Sequence, residues 1–350
     1  MCAAVPFKGV LIRDLESDQV GAFLAFYSRS FADRPNLAAL FQHQFQNPCN
    51  HHRSLPPVAL AVDEENIIGQ FPVQPCKYVC NGQTRPAYIG YDFYVAEQYR
   101  QTGSGALLAC HVVRRFHPYF VIGLSDTAKR MMSALKLRVI GELHKYLWLR
   151  KSMTTAASIL RALTGAPAAT LPDRPFPGIV PCRGKRLSQS FNPLDGDAVE
   201  NNDKVLAFSR NAEFMRWRFL DHPNRYNLFT FAPRSSTYFV VRMCEWRGLR
   251  VLSLIDYRYP TSCPYLLKDI VEASKAVAKI VRADGVLTMS SYAPVDRVLS
   301  ESAFFRVGKP NLIMADPDVT PDPELISARE AVLVTMADGD TDLLFQEAAC

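Results

Sequence analysis

The sequence predicts an α/β (α+β) chain built as two similar units, each a mixed, mostly antiparallel sheet flanked by helices. Three observations lead there. At 350 residues the chain is longer than one small core organises well. Strand-like and helix-like segments follow one order in the first half, and that order returns in the second half without sequence repetition. Tyr88–Val113 reads as a strand, a glycine-containing turn and a helix in direct succession.

The first strand is Val10–Asp14. Ser17-Asp18 caps a helix over Val20–Phe31, in which Phe23, Phe26 and Tyr27 recur at helical spacing and read as core. Asn36 caps a second helix, Leu37–Phe45, which Asn47-Pro48 stops. Val58–Val62 and Ile67–Gln74 form a hairpin about Glu64-Glu65-Asn66. Cys76–Val79 and Arg85–Val95 continue the meander about Asn81-Gly82, the strongest short hairpin signal in the chain. Tyr119–Leu124 is a buried strand, Asp126-Thr127 caps the helix Ala128–Leu137, and Gly141–Arg150 closes a first domain over residues 1–150.

Residues 151–185 turn Pro-, Ala- and Gly-rich and read as a linker. Over residues 186–350 the pattern gives helices at Asp203–Ser209 and Glu213–Leu220, then strands at Tyr226–Phe231, Thr237–Met243 and Arg250–Tyr257. A helix follows from Pro264 through Val281, Pro being allowed in a first turn. The strand Val286–Ser290, a helix Val295–Phe304 and the strands Leu312–Ala315 and Ala331–Met336 complete the second unit.

Composition narrows the function. Hydrophobic residues make up 48% and charged residues 21%, as in an ordinary globular protein. No apolar run approaches the roughly 20 residues of a membrane span, and the N-terminus lacks the pattern of a signal peptide, so the expected location is cytoplasmic. The net charge of +6 suits a phosphorylated cofactor as well as nucleic acid, and no dense basic run with interleaved aromatics favours the latter. The nine cysteines are scattered. Cys76-x-x-x-Cys80 has no second pair at metal spacing, and Cys49 beside His51-His52 reads as a loop, so no metal centre is predicted. An odd count in such a chain implies free thiols. Nothing in the sequence sets the oligomeric state.

Tyr99–Ala106 (YRQTGSGA) carries the functional signal. The first N–H groups of a helix lack internal partners and sit at the positive end of its dipole. Glycines let an anion approach that backbone closely, and Arg100 adds a cation. A pyrophosphate is the anion such a turn accommodates. The segment is not a nucleotide-hydrolase phosphate loop, since no Lys follows Gly105, nor the dinucleotide fingerprint, whose third Gly is Leu108 here.

Val95-x-x-x-Tyr99-Arg100-x-x-Gly103-x-Gly105 resembles the coenzyme A loop of the GNAT (Gcn5-related N-acetyltransferase) superfamily, with Glu97 in place of the usual Pro. The order of elements over residues 8–150 is similar too, and two units in series resemble tandem GNAT-like bacterial proteins. The resemblance implies an acyl-CoA-dependent N-acyltransferase that moves acetyl from acetyl-CoA, or another acyl group from its CoA ester, directly to an amine of a small molecule or amino sugar. It implies no metal. In this reading the backbone of Tyr94, Val95 and Ala96 faces the pantetheine arm, and Arg100, Gln101, Thr102, Gly103, Ser104, Gly105 and Ala106 face the pyrophosphate. Asp92, among aromatic neighbours on the strand, is the candidate base, with Glu97 and Tyr94 as further proton-handling candidates. His111 in the following helix reads as a packing or surface residue. The tyrosine that donates a proton to the thiolate in many relatives is replaced by Ala134.

The second unit has no such loop. Arg258-Tyr259-Pro260-Thr261-Ser262-Cys263-Pro264 stands in its place, and prolines remove N–H groups. Trp217, Arg218 and Tyr226 are the candidate acceptor-binding residues of this half, and Asp338–Asp342 reads as a solvated turn. Two other functions stay open: a tandem transferase of the kind that builds peptidoglycan bridges from aminoacyl-tRNA, and a CoA-binding sensor or scaffold without turnover.

Overall fold

The computed structural model describes residues 9–32, 34, 36–44, 47–50, 57–151, 153–164, 175–182, 185–190, 205–231, 237–260, 262–319, 322–339 and 346–347. The chain divides into two compact units. One comprises Met1–Tyr78, Thr84–Ile140 and Leu312–Thr320, and the other Val79–Gln83, Gly141–Asn311 and Pro321–Cys350. The first boundary therefore falls at 140/141 instead of the expected 150, and the first unit takes back a segment from far along the chain.

The first unit opens with β1 (Val10–Asp14), α1 (Val20–Ser30) and α2 (Leu37–Gln44), followed by β2 (Val58–Asp63) and β3 (Asn66–Cys80). β1 pairs antiparallel with β2, and β2 with β3. Alternation along β2 divides two cores. Val58, Leu60 and Val62 pack with Phe23, Tyr27, Leu37 and Phe41 of the first two helices. Ala59 and Ala61 face the opposite way, toward Phe71, Leu108, Val112 and Tyr119.

The Asn81-Gly82 turn, with both residues at positive φ, leads to β4 (Gln83–Gly90). After a break at residues 91–93 come β5 (Tyr94–Val95), α3 (Ser104–Arg115), β6 (Tyr119–Ile122) and α4 (Asp126–Ala134). β7 (Arg138–Leu149) follows. β4 runs parallel to β6 from Tyr88↔Tyr119 to Gly90↔Val121, whereas β5 pairs with β3 at Gly69↔Val95 and Gln70↔Tyr94. The returning strand Asn311–Ala315 pairs antiparallel with β6, from Ile313↔Ile122 to Ala315↔Phe120.

The second unit contains α5 (Met153–Thr164), β8 (Ile179–Cys182), β9 (Lys185–Ser190) and β10 (Leu206–Phe208). Two of these lie where a linker was expected, with residues 165–174 and 183–184 outside the described residues. β10 lies where a helix was expected over 203–209. Its three residues are all buried, and Leu206 and Ala207 pair parallel with Val332 and Leu333, so tertiary pairing decides over local propensity. Residues 203–204 lie outside the described residues.

α6 (Ala212–Met215) continues through a π-helical turn, Arg216–Leu220, into β11 (Asn227–Thr230). β12 (Tyr238–Trp246) and β13 (Leu249–Arg258) form the long antiparallel pair. α7 (Tyr265–Ile280), β14 (Gly285–Ser290) and α8 (Ala293–Glu301) follow, with β14 parallel to β13. The segment expected to close the first domain lies in this unit: β7 pairs antiparallel with β14, from Gly285↔Leu149 to Ser290↔His144. Helices cover a core that includes Phe229, Phe239, Leu252, Ile270, Val277 and Val286.

Candidate functional site

The site of the first unit begins at the break in residues 91–93. Gly90 ends the strand that lies along β6, and Tyr94 begins the pair with β3, so past Gly90 and Val121 the chain leaves β6. Asp92 turns the backbone there at φ 46°. Its carboxylate is fixed: Arg34 Nη1 stands 2.7 Å from Oδ1, and the Tyr27 hydroxyl donates to Oδ2 at 2.5 Å. The Asp92 carbonyl accepts from Gln70 Nε2 at 3.3 Å. Burial, with the Asp92 charge next, pushes the Tyr27 hydroxyl well above its ordinary pKa, so it remains the donor.

β5 leads into the loop through a short 3-10 turn, Glu97–Tyr99. Arg100 folds back: its Nε donates to the Val95 carbonyl at 3.1 Å, and its guanidinium lies 5.5 Å from the centre of the Tyr94 ring. The Tyr99 hydroxyl donates to Asp63 at 2.9 Å. Thr102 N–H donates to the Tyr99 carbonyl at 3.2 Å, and Ala96 N–H to Ile68 at 2.8 Å, so both are engaged within the fold. Gly103 is the N-cap of α3 at φ 83°, and no side chain caps the helix. The first-turn N–H groups of Ser104, Gly105 and Ala106 are the ones helix geometry leaves to an external acceptor.

The sequence-predicted residues are partly brought together. Asp92, Tyr94, Val95, Ala96, Glu97 and Arg100–Ala106 lie along one stretch from the break to the helix start. Asp92 is buried and paired, whereas Glu97 is exposed. Ala134 is the last residue of α4. His111, which reads as a packing or surface residue, is half-buried and stands 3.2 Å from Asp14 Oδ1. Trp217, Arg218 and Tyr226 belong to the second unit. There Trp217 is buried against Phe214, and Arg218, also buried, donates to the Tyr226 hydroxyl at 3.0 Å. Asp338 is buried against Arg210 rather than solvated, and Asp340, Thr341 and Asp342 lie outside the described residues, as do His51 and His52. Sequence reasoning missed Tyr27, Arg34, Gln70 and Tyr119. Tyr27 on α1 and Arg34 just after it reach Asp92 through their side chains, whereas pairing across the sheet brings Gln70 and Tyr119 to the break.

Among the described residues no group of three His, Cys, Asp or Glu side chains is placed to hold a metal ion, and no helix is long and apolar enough to cross a membrane. Cys49, Cys76, Cys80, Cys110, Cys244 and Cys263 are free thiols.

A strand that splits from its parallel neighbour and feeds a glycine-capped helix defines the class of fold: this is the GNAT fold. No family model and no curated protein matches the sequence. Solved structures do match. A probable N-acyltransferase of Enterococcus faecalis V583 is 11% identical, with 87% of this chain and 71% of that one covered at a TM-score of 0.53. A GCN5-related N-acetyltransferase from Anabaena variabilis is 11% identical over 87% and 72%, also at 0.53. N-myristoyltransferase of Saccharomyces cerevisiae, with bound myristoyl-CoA, is 9% identical over 88% and 79% at 0.56. The likeness is one of fold and extends over both units.

Proposed function

We propose that this chain is an acyl-CoA-dependent N-acyltransferase, with acetyl-CoA as donor and the amine of a small molecule as acceptor. The observation that carries the reading is the slot geometry: β5 leaves β6 beyond Gly90↔Val121 and ends at a helix start capped by Gly103 with no side chain. Such a helix start takes a pyrophosphate on the N–H groups of Ser104, Gly105 and Ala106. Arg100 adds positive charge while its Nε holds β5 in place. The pantetheine arm then lies along Tyr94–Ala96.

In the transfer, the neutral amine's lone pair forms the bond to the thioester carbon, the C–S bond breaks, nitrogen gives up one proton and sulfur gains one. Holding both reactants supplies most of the acceleration. Asp92 is sequestered by Arg34 and Tyr27 and fixes the break. Glu97, exposed at the slot's mouth, is the carboxylate able to take the amine's proton through water. With Ala134 in α4, the thiolate is protonated from solvent.

The test is titration calorimetry with acetyl-CoA and CoA on the native chain and on Ala106→Glu. Glu at the third helical position stabilises a helix start, so the variant folds, yet it sets a carboxylate in the pyrophosphate site. Binding by the native chain and at least a ten-fold loss in the variant are expected. A native chain that binds neither ligand would sink the reading.

A further inference from the structure

Tyr119 opens β6 and is wholly buried, yet its hydroxyl has no hydrogen-bond partner among the described residues. A buried hydroxyl left unpaired is costly and calls for an explanation. Its place supplies one. A Cβ on Gly90 would lie 1.6 Å from the Tyr119 hydroxyl oxygen, 2.6 Å from Cζ and 2.8 Å from Phe71 Cε2. Gly90 is thus the residue that lets the hydroxyl reach the last paired rung of β4 and β6, where the slot closes. The ring is held edge-on against Phe71, at 6.1 Å between centroids.

In the acyl-CoA reading the ligand runs from the start of α3 along β5 to that rung, past which the chain leaves β6. Gly90 and Val95 are five positions apart and the chain turns between them at Asp92, so the closed end lies within about 16 Å of Val95, the extended limit at about 3.3 Å per residue, and an extended pantetheine arm covers that span. A backbone donor next to the slot, Ala96 N–H, is already bound to Ile68. Among the described residues the Tyr119 hydroxyl is a donor with nothing to receive it.

We propose that the Tyr119 hydroxyl positions the acyl group, donating its hydrogen bond to the carbonyl oxygen of the bound acyl thioester. The inference rests on the acyl-CoA reading above and adds to it the group that recognises the acyl end. Burial, with the charge of Asp316 next, raises the hydroxyl's pKa well above that of an ordinary tyrosine, so it keeps its proton as negative charge develops on the carbonyl oxygen during attack.

The experiment uses the full chain and Tyr119→Phe, which keeps the ring and removes only the unpaired hydroxyl. The ligand-free variant should melt at the same temperature as the native chain or higher. By calorimetry the native chain should bind acetyl-CoA more tightly than CoA. The variant should lose about ten-fold in acetyl-CoA affinity with CoA affinity unchanged. In parallel, the carbonyl band of bound 13C-labelled acetyl-CoA should sit at lower frequency on the native chain and move up in the variant. An equal carbonyl band and an equal acetyl-CoA to CoA ratio in both proteins would overturn the proposal and leave the acyl-CoA reading standing. A native chain that binds neither ligand overturns both.

Discussion

Asp92 concentrates several demands in one residue. It turns the chain at φ 46°, where Asn and Asp are tolerated better than most side chains. It also balances Arg34 and anchors Tyr27 in a largely buried setting. Asp92→Asn separates these demands, because Asn keeps the turn and loses the charge. The variant should lose about 3 kcal/mol of stability, as the Arg34–Asp92 ion pair loses its negative member. Asp92→Ala should lose about 1 kcal/mol more, since Ala has no side chain to support positive φ. Urea denaturation of the three proteins reads both steps. If Asp92→Asn kept full stability while turnover collapsed, Asp92 would be a base and not a fastener. The sequence made Asp92 visible as a carboxylate among aromatics. It did not reveal the pairing, because Tyr27 and Arg34 lie 65 and 58 residues away. The Gly103-x-Gly105 turn, by contrast, was legible because a left-handed N-cap is written locally as glycine. Tyr119 was hidden, since a tyrosine that opens an apolar strand looks like any core aromatic.

At the scale of elements, β2 shows how one strand serves two cores. Leu60 is fully buried against the α1 and α2 side, and Ala61 is fully buried against the α3 side. Leu60→Ala should therefore leave a cavity and cost about 3 kcal/mol. Ala61→Leu should overpack the other face and cost about 2 kcal/mol, although it adds apolar surface. The pair distinguishes a strand buried on both sides from one with a solvent face, where the second change would be neutral, and chemical denaturation decides. Strands of this kind, and the long helix α7, were readable because β-branched runs and helical periodicity are local. β10 was not, because three apolar residues carry no period, and its partner, Val332–Leu333, lies more than a hundred residues on.

For the molecule as a whole, the order of elements in sequence differs from their grouping in space. Within the first unit, β6 is flanked by β4 on one side and by the returning strand Asn311–Ala315 on the other. That return also brings Met314 into the core, and Asp316, which accepts the Tyr119 N–H at 2.6 Å and meets His117 at 2.9 Å. A fragment ending at residue 150 has none of this. It would leave β6 as an open, apolar edge, prone to pairing with other chains. It would also carry Leu143, Tyr146 and Leu147, which are buried in the intact protein, on a strand whose partner β14 is missing. Such a fragment should unfold without a cooperative transition and associate. A chain of residues 1–140 joined through a flexible linker to 309–320 restores the second neighbour of β6 and omits the stranded segment, and it should show a single urea transition as a monomer. Equilibrium denaturation with sedimentation of both fragments is the test. A cooperative, monomeric 1–150 fragment would mean that the first unit is complete without the return, and that the strand pairing with β6 adds little to its stability.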